Sequence, residues 1–234
     1  ATGATIVISS LTGPEAVRAA YLGSDGALGA AEGKLFIEMS TAGPDVAMEL
    51  ASTLAAAGGR LVDAPIIGAP PLLREGKATI VVGGDAVDVG RASPVLKTFG
   101  AVRHVGPAGN GARLKLVANS MLADVILAAA ELQVAGEDAG LDPDDVFWML
   151  ERFAPAIGGR RRGYLEDRHE PALFAMRDLL KDLDLALGLF GSEGDRTPLT
   201  ALSRTLVADT ASGSPDLDIT AVIRPYRAAR PSRH

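Results

Sequence analysis

One helical pattern, Ala112–Ala139, constrains this chain more than any other feature. It runs without proline and with a single glycine. Before it, short β-branched apolar runs alternate with Ala-rich helical segments. After it, no strand pattern returns. Such a chain is expected to fold as an α/β layer with a mostly parallel sheet, followed by an all-helical part. The long helix is apolar on several faces, through Leu114, Val117, Met121, Val125, Ile126, Leu132 and Val134. A helix of that kind is covered on several sides, and a partner subunit is expected to supply part of the cover.

Four runs read as strands: Thr5–Leu11, Lys34–Met39, Ala78–Val82 and Ala101–Val105. Thr5–Leu11 lacks alternation and stops at Thr12-Gly13-Pro14, as a buried parallel strand does. Arg60–Val62 leads into Asp63-Ala64-Pro65, and the apolar stretch that follows, up to Pro71, reads as a rigid connection. Helices are expected at Glu15–Leu22, Pro44–Ala57 and Val87–Phe99 in the first part. In the second they are expected at Pro143–Arg152, Gly163–Glu166, Leu173–Phe190, Pro198–Ala211 and Asp218–Ile223. Asp142-Pro143 reads as a helix start. The basic, proline-broken end from Arg224 reads as a frayed tail.

Composition narrows the function. The net charge is −6, a poor match for a nucleic-acid binder. The absence of cysteine excludes a disulfide scaffold, a thiolate metal site and a Cys nucleophile, and it fits a cytoplasmic location. No apolar run reaches about 18 residues, so no membrane span is expected. His104, His169 and His234 share no metal-ligand spacing.

Three segments carry candidate chemistry. Lys115 lies near the start of the long helix, and Asn119 follows on the same face. A lysine there feels the positive end of the helix dipole, which makes it an acid/base candidate. The same pair fits a solvated Lys and a surface Asn. The second segment runs from Phe174 to Lys181-Asp182, where the charges also fit a solvated face. The third is the loop Asp63–Pro71. Arg160-Arg161-Arg162 reads as a solvated loop, and Trp148 as core or interface.

The order and spacing of these segments resemble the β-hydroxyacid dehydrogenase family, relatives of 3-hydroxyisobutyrate and 6-phosphogluconate dehydrogenases. The resemblance rests on Glu38-Met39-Ser40-Thr41, on Asp63-Ala64-Pro65-Ile66-Ile67-Gly68-Ala69, and on Gly76–Gly84. It rests further on Gly106, Gly109, Gly111, Lys115 and Asn119, and on Phe174 through Lys181-Asp182 to Ala186. It implies the remainder of a Rossmann-type NAD(P)-binding sheet over residues 1–108. A long interdomain helix and a helical substrate and dimerisation domain would follow over 109–225, and a tail over 226–234. It implies reversible hydride transfer at a carbonyl or alcohol carbon, with NADP or NAD as cofactor and a homodimer as assembly. By the same resemblance Lys115 and Asn119 are catalytic. Ile67, Gly68, Ala69, Phe174 and Asp182 bind substrate, and Ser10, Leu11, Thr12, Thr41 and Lys181 bind cofactor.

The sequence departs from the family pattern twice. The first β-α-β-α-β half, with its G-x-G-x-x-G phosphate loop, has no counterpart. The polypeptide is therefore expected to be part of a longer protein, with Thr5–Leu11 an uncovered apolar edge. In the other departure, Ile67 stands where the family has a serine for the substrate carboxylate. Ile offers no donor, so the expected substrate is a bulkier or more apolar ketone, aldehyde or imine. Two alternatives stand beside the dehydrogenase reading: a dimeric scaffold that has lost cofactor binding, and an imine reductase.

Overall fold

A computed structural model describes residues 3–191 and 196–229. His234 and the last residues of the expected tail lie outside them. The chain forms two compact units, Ala1–Ala118 and Asn119–His234.

The first unit is built on six strands: β1 (Ile6–Ser9), β2 (Leu35–Glu38), β3 (Arg60–Asp63), β4 (Ile66–Ile67), β5 (Ala78–Val82) and β6 (Gly100–His104). β1, β2 and β3 are parallel with β2 central, and Ile37 stands between Ile8 and Val62. β5 lies between β6, which is parallel to it, and β4, which is antiparallel. A bridge between Asp63 and Gly83 joins the two triplets. Alternate side chains leave the sheet on opposite faces. Leu35, Ile37, Val62, Ile80 and Val82 form one core with Ala92 and Leu96. Phe36 and Leu61 form the other with Val17, Tyr21, Val46, Leu50 and Leu54. Helices α1 (Pro14–Leu22), α2 (Pro44–Ala56) and α4 (Ala86–Leu96) supply those partners. Among the described residues β1 pairs with β2 alone, and Ile8 is 44% exposed.

The stretch read as a rigid connection contains β4 and a short helix, α3 (Pro70–Arg74). Ile66 and Ile67 pair with Ile80 and Thr79, and two residues are too few to show a strand's alternation. Pro70 and Pro71 occupy the first turn of α3, where a missing N–H costs nothing.

The long helix α5 spans Asn110–Asp138. The residue before it is Gly109, which has no side chain with which to cap it. Asp63, at the end of β3, does so from 46 residues away: its Oδ1 accepts the Gly109 N–H at 2.8 Å, and its Oδ2 accepts the Ala112 N–H at 2.8 Å. These are first-turn donors with no partner inside the helix. The packing demands glycine at two positions. A Cβ on Gly83 would stand 2.4 Å from Asp63 Oδ1, and one on Gly111 2.8 Å from Oδ2. α5 is long and apolar enough to pass for a membrane-crossing helix by length and composition alone, although Asn119, Ser120, Asp124 and Glu131 interrupt its apolar runs. Half of its most apolar window is buried inside the protein.

In the second unit α6 (Pro143–Phe153), α7 (Arg161–Glu166), α8 (Met176–Phe190), α9 (Pro198–Gly213) and α10 (Ile223–Ala228) pack with the later turns of α5. Ile126, Phe147, Tyr164, Leu179, Leu183, Val207 and Val222 are its fully or nearly fully buried centre. Asp142 caps α6, accepting the Asp144 N–H at 2.9 Å. Three expectations need correction. Arg224–Ala228 is helical and not frayed, because Pro225 suits a first turn and Tyr226 packs on the core. Arg160 is not solvated: its side chain is 8% exposed and its Nε lies 3.4 Å from Asp218. α8 begins at Met176, three residues later than expected.

Candidate active site

The first unit brings together one group of candidates. Loops leave the carboxyl ends of β1 and β2 side by side, the place where open parallel sheets bind ligands. Ser10, Leu11 and Thr12 follow β1 and are exposed; Ser40 and Thr41 follow β2. The loops are tied, since the Leu11 N–H donates to Ser40 Oγ at 2.8 Å, and the Ser40 N–H donates to Glu38 Oε1 at 2.9 Å. The side chains offered are hydroxyls and one leucine, with no charge. That donor set fits the carboxamide and ribose hydroxyls at the nicotinamide end of a dinucleotide, not its pyrophosphate. Ser10, Thr12 and Thr41 are the residues that would hold it.

Two buried carboxylates lie behind these loops. Burial lifts Glu38 above the usual carboxylate range; hydrogen bonds from Ser40 oppose this, and the charge of Asp63 adds to it. Burial likewise lifts Asp63, opposed by the Gly109 and Ala112 N–H groups and by the charge of Arg113. Tyr21, whose hydroxyl lies 2.7 Å from Ser9 Oγ, is pushed up to about 12 by burial. A carboxyl group whose folded value is raised holds its proton at a pH where the unfolded chain has released it. Stability therefore falls as pH rises from about 4.3 through the raised value. Glu38→Gln keeps the acceptor for Ser40 and removes this titration. It is expected to flatten the decline in urea-unfolding stability between acid and neutral pH. An unchanged slope would contradict the assignment.

Lys115 is half-buried, and its Nζ donates to the Ile66 carbonyl at 2.7 Å. That places the ammonium beside the strand and turn that carry Ile67, Gly68 and Ala69. Ile67 is half-buried and Gly68 exposed.

The second unit holds the other group. Asn119 is 4% exposed and Asp182 2% exposed. Asn119 Nδ2 donates to Asp182 Oδ2 at 2.5 Å, and Lys181 Nζ donates to Asp182 Oδ1 at 2.6 Å. A carboxylate only accepts, so the Asn119 amide must turn its NH₂ toward Asp182 and its carbonyl oxygen away. The charges at 181 and 182 are thus a partly buried pair and not a solvated face. Phe174 sits in a bend before α8, not on it. Asp218 Oδ2 fixes that segment by accepting the N–H of Leu173 at 3.0 Å and of Phe174 at 3.2 Å. Asp218 was not among the candidates, and Asp63 stood there only as the first residue of a candidate loop, with no role of its own. Each acts on backbone far away in sequence, and spacing gives no signal of that.

Residues 1–108 match the family model of the NAD-binding domain of 6-phosphogluconate dehydrogenase. Residues 109–226 match that of the NAD-binding domain of NADP-dependent 3-hydroxyisobutyrate dehydrogenase. The chain is 34% identical to a 3-hydroxyisobutyrate dehydrogenase of Pseudomonas aeruginosa, over 96% of this chain and 80% of that one. It is 28% identical to glyoxylate/succinic semialdehyde reductase 1 of Arabidopsis thaliana, over 85% of this chain and 70% of that one. The solved 3-hydroxyisobutyrate dehydrogenase of Mycobacterium tuberculosis with L-serine superimposes with a TM-score of 0.83 at 29% identity. That match covers 97% of this chain and 80% of the other. These matches and the two matching family models agree with the motifs at Lys115–Asn119 and Lys181-Asp182: the chain belongs to the β-hydroxyacid dehydrogenase family, oxidoreductases that use NAD or NADP.

Proposed function

We propose that this protein interconverts a carbonyl and an alcohol, with Lys115 as the acid and base at the substrate oxygen. The observation that carries the reading is the Lys115–Ile66 bond. It fixes a half-buried ammonium at 2.7 Å from the backbone next to the Ile67-Gly68-Ala69 segment. The nicotinamide, when bound, supplies or accepts the hydride. Lys115 gives a proton to the carbonyl oxygen in reduction and takes it from the alcohol in oxidation. Asn119 offers its carbonyl oxygen to a substrate hydroxyl, because Asp182 holds the other end of its amide. Ser10, Leu11, Thr12 and Thr41 line the nicotinamide, and Lys181 reaches the cofactor from its pair with Asp182. Phe174 and Asp182 belong to the substrate wall, the former directly and the latter through Asn119.

The substrate we propose is bulkier or more apolar than a small hydroxy acid. Ile67 follows the residue that anchors Lys115, and it offers a carboxylate no donor. A hydrogen bond to a charged group contributes about 1.5–3 kcal/mol. Ile67→Ser is therefore expected to raise kcat/KM for 3-hydroxyisobutyrate and glyoxylate by roughly tenfold or more. It is expected to lower kcat/KM for aldehydes with long alkyl chains. Equal effects on both classes would contradict the role given to Ile67.

We also propose a homodimer through the helical unit. α6 turns Trp148, Met149 and Phe153 outward at 50%, 47% and 86% exposure, and α9 does the same with Leu199 and Leu202. The Arg152 guanidinium lies 4.1 Å over the Trp148 ring, so it covers one face of one of them. Light scattering is expected to give twice the chain mass; a single-chain mass at micromolar concentration would refute the dimer.

A further inference from the structure

We infer that Asp63 is the positioning residue for Lys115, setting the lysine against the substrate segment through the start of α5. The inference rests on the reading of Lys115 as the proton donor. Three bonds tie one short stretch of chain, 63–66, to one turn of helix. Asp63 Oδ1 accepts from Gly109, Asp63 Oδ2 accepts from Ala112, and the Ile66 carbonyl accepts from Lys115. Ala112 and Lys115 are three residues apart and share a helix face. The frame they grip is rigid. Asp63 exchanges two backbone bonds with Gly83, at 3.0 and 2.8 Å, and the Ala64 N–H donates to the Glu38 carbonyl at 2.7 Å.

The geometry goes beyond a local cap. Asp142 also accepts two N–H groups, from the helix that directly follows it; Asp63 lies 46 residues before Gly109, at the start of the helix it holds, and three residues after Asp63 the Ile66 carbonyl takes the lysine. Rotation or sliding of α5 by a fraction of a turn would break all three bonds together. Asp63 therefore fixes both how far along and how far around the helix Lys115 stands. It touches no reacting atom.

The test is Asp63→Asn in the purified protein, assayed with NADPH and octanal, an aldehyde with a long alkyl chain. Asn fills the same volume, but it turns an NH₂ toward one of the two N–H donors. A displacement of about 1 Å at a catalytic group costs up to about a hundredfold. The expected result is a kcat lower by roughly 10- to 100-fold, with the Kd of NADPH changed less than about twofold. In a Lys115→Ala background the same substitution is expected to add nothing, because the residue it positions is gone. A kcat within about twofold of the parent overturns the inference. So does an equal loss in the Lys115→Ala background, which marks a purely structural role. If Asp63→Asn does not fold, Asp63→Glu keeps the carboxylate but moves both acceptors outward by one methylene, and it is expected to reproduce the kcat loss; a normal kcat there overturns the inference. In the unaltered protein the Gly109 amide, whose acceptor is Asp63, is expected to be protected from hydrogen exchange. Exchange at the rate of a free peptide overturns the cap itself. If Lys115→Ala retains full kcat, the catalytic reading falls and this inference falls with it, whereas Gly109 protection would still stand.

Discussion

Lys115→Ala is expected to lower kcat by roughly 10²- to 10⁴-fold, the range removed with a general acid. The substitution deletes the amine that Ile66 holds at 2.7 Å and leaves the helix intact, since Ala is the best helix former. The residue is half-buried and not part of either apolar cluster of the first unit, so the loss of stability is expected to stay small. In the role proposed for it Lys115 acts on the substrate oxygen, so the Kd for reduced nicotinamide is expected to change by less than about threefold. Steady-state kinetics with a fluorescence titration of NADPH separate the two quantities. Parallel loss of cofactor binding and turnover would mean that Lys115 holds the site together and does not act in it.

The second large effect is expected at Asp182. Its two oxygens serve two partners, Asn119 at 2.5 Å and Lys181 at 2.6 Å. Asp182→Ala deprives a buried amide of the acceptor that orients it. The lysine is 27% exposed and can turn to water, so the full cost of breaking a buried ion pair is not reached. Stability is expected to fall by about 2 kcal/mol, read from urea unfolding. Turnover is expected to fall by roughly a hundredfold because Asn119 no longer presents a fixed carbonyl oxygen. Asp182→Asn can still accept from one partner and is expected to lie between. A variant with parental kcat and lower stability would make Asp182 a purely structural residue.

The long helix was legible because its pattern is local. Expected at Ala112–Ala139, it is found at Asn110–Asp138. The strand Ala78–Val82 was legible for the same reason. β4 was not, because Ile66-Ile67 owes its conformation to Ile80 and Thr79 across the sheet. α10 was hidden by Pro225, which reads as a breaker unless Tyr226 is known to pack. Arg160 looked solvated because its partner, Asp218, comes much later in the chain. Within the candidate site, the four-residue spacing of Lys115 and Asn119 put both on one helix, and both lie on α5. What fixes each of them was not readable. Lys115 is held by a backbone carbonyl that no side-chain pattern encodes, and Asn119 by an aspartate 63 residues away.

We propose Lys115 as the proton donor of a nicotinamide-dependent carbonyl reductase on the strength of its bond to Ile66. The most direct measurement is the consumption of NADPH and NADH, followed by absorbance, with a panel of aldehydes and ketones graded in size and polarity. Parent and Lys115→Ala proteins are compared side by side. Saturable oxidation of one reduced cofactor by the parent, strongest with the bulkier carbonyls and nearly absent from the variant, is the predicted result. Equal rates in parent and variant would contradict it.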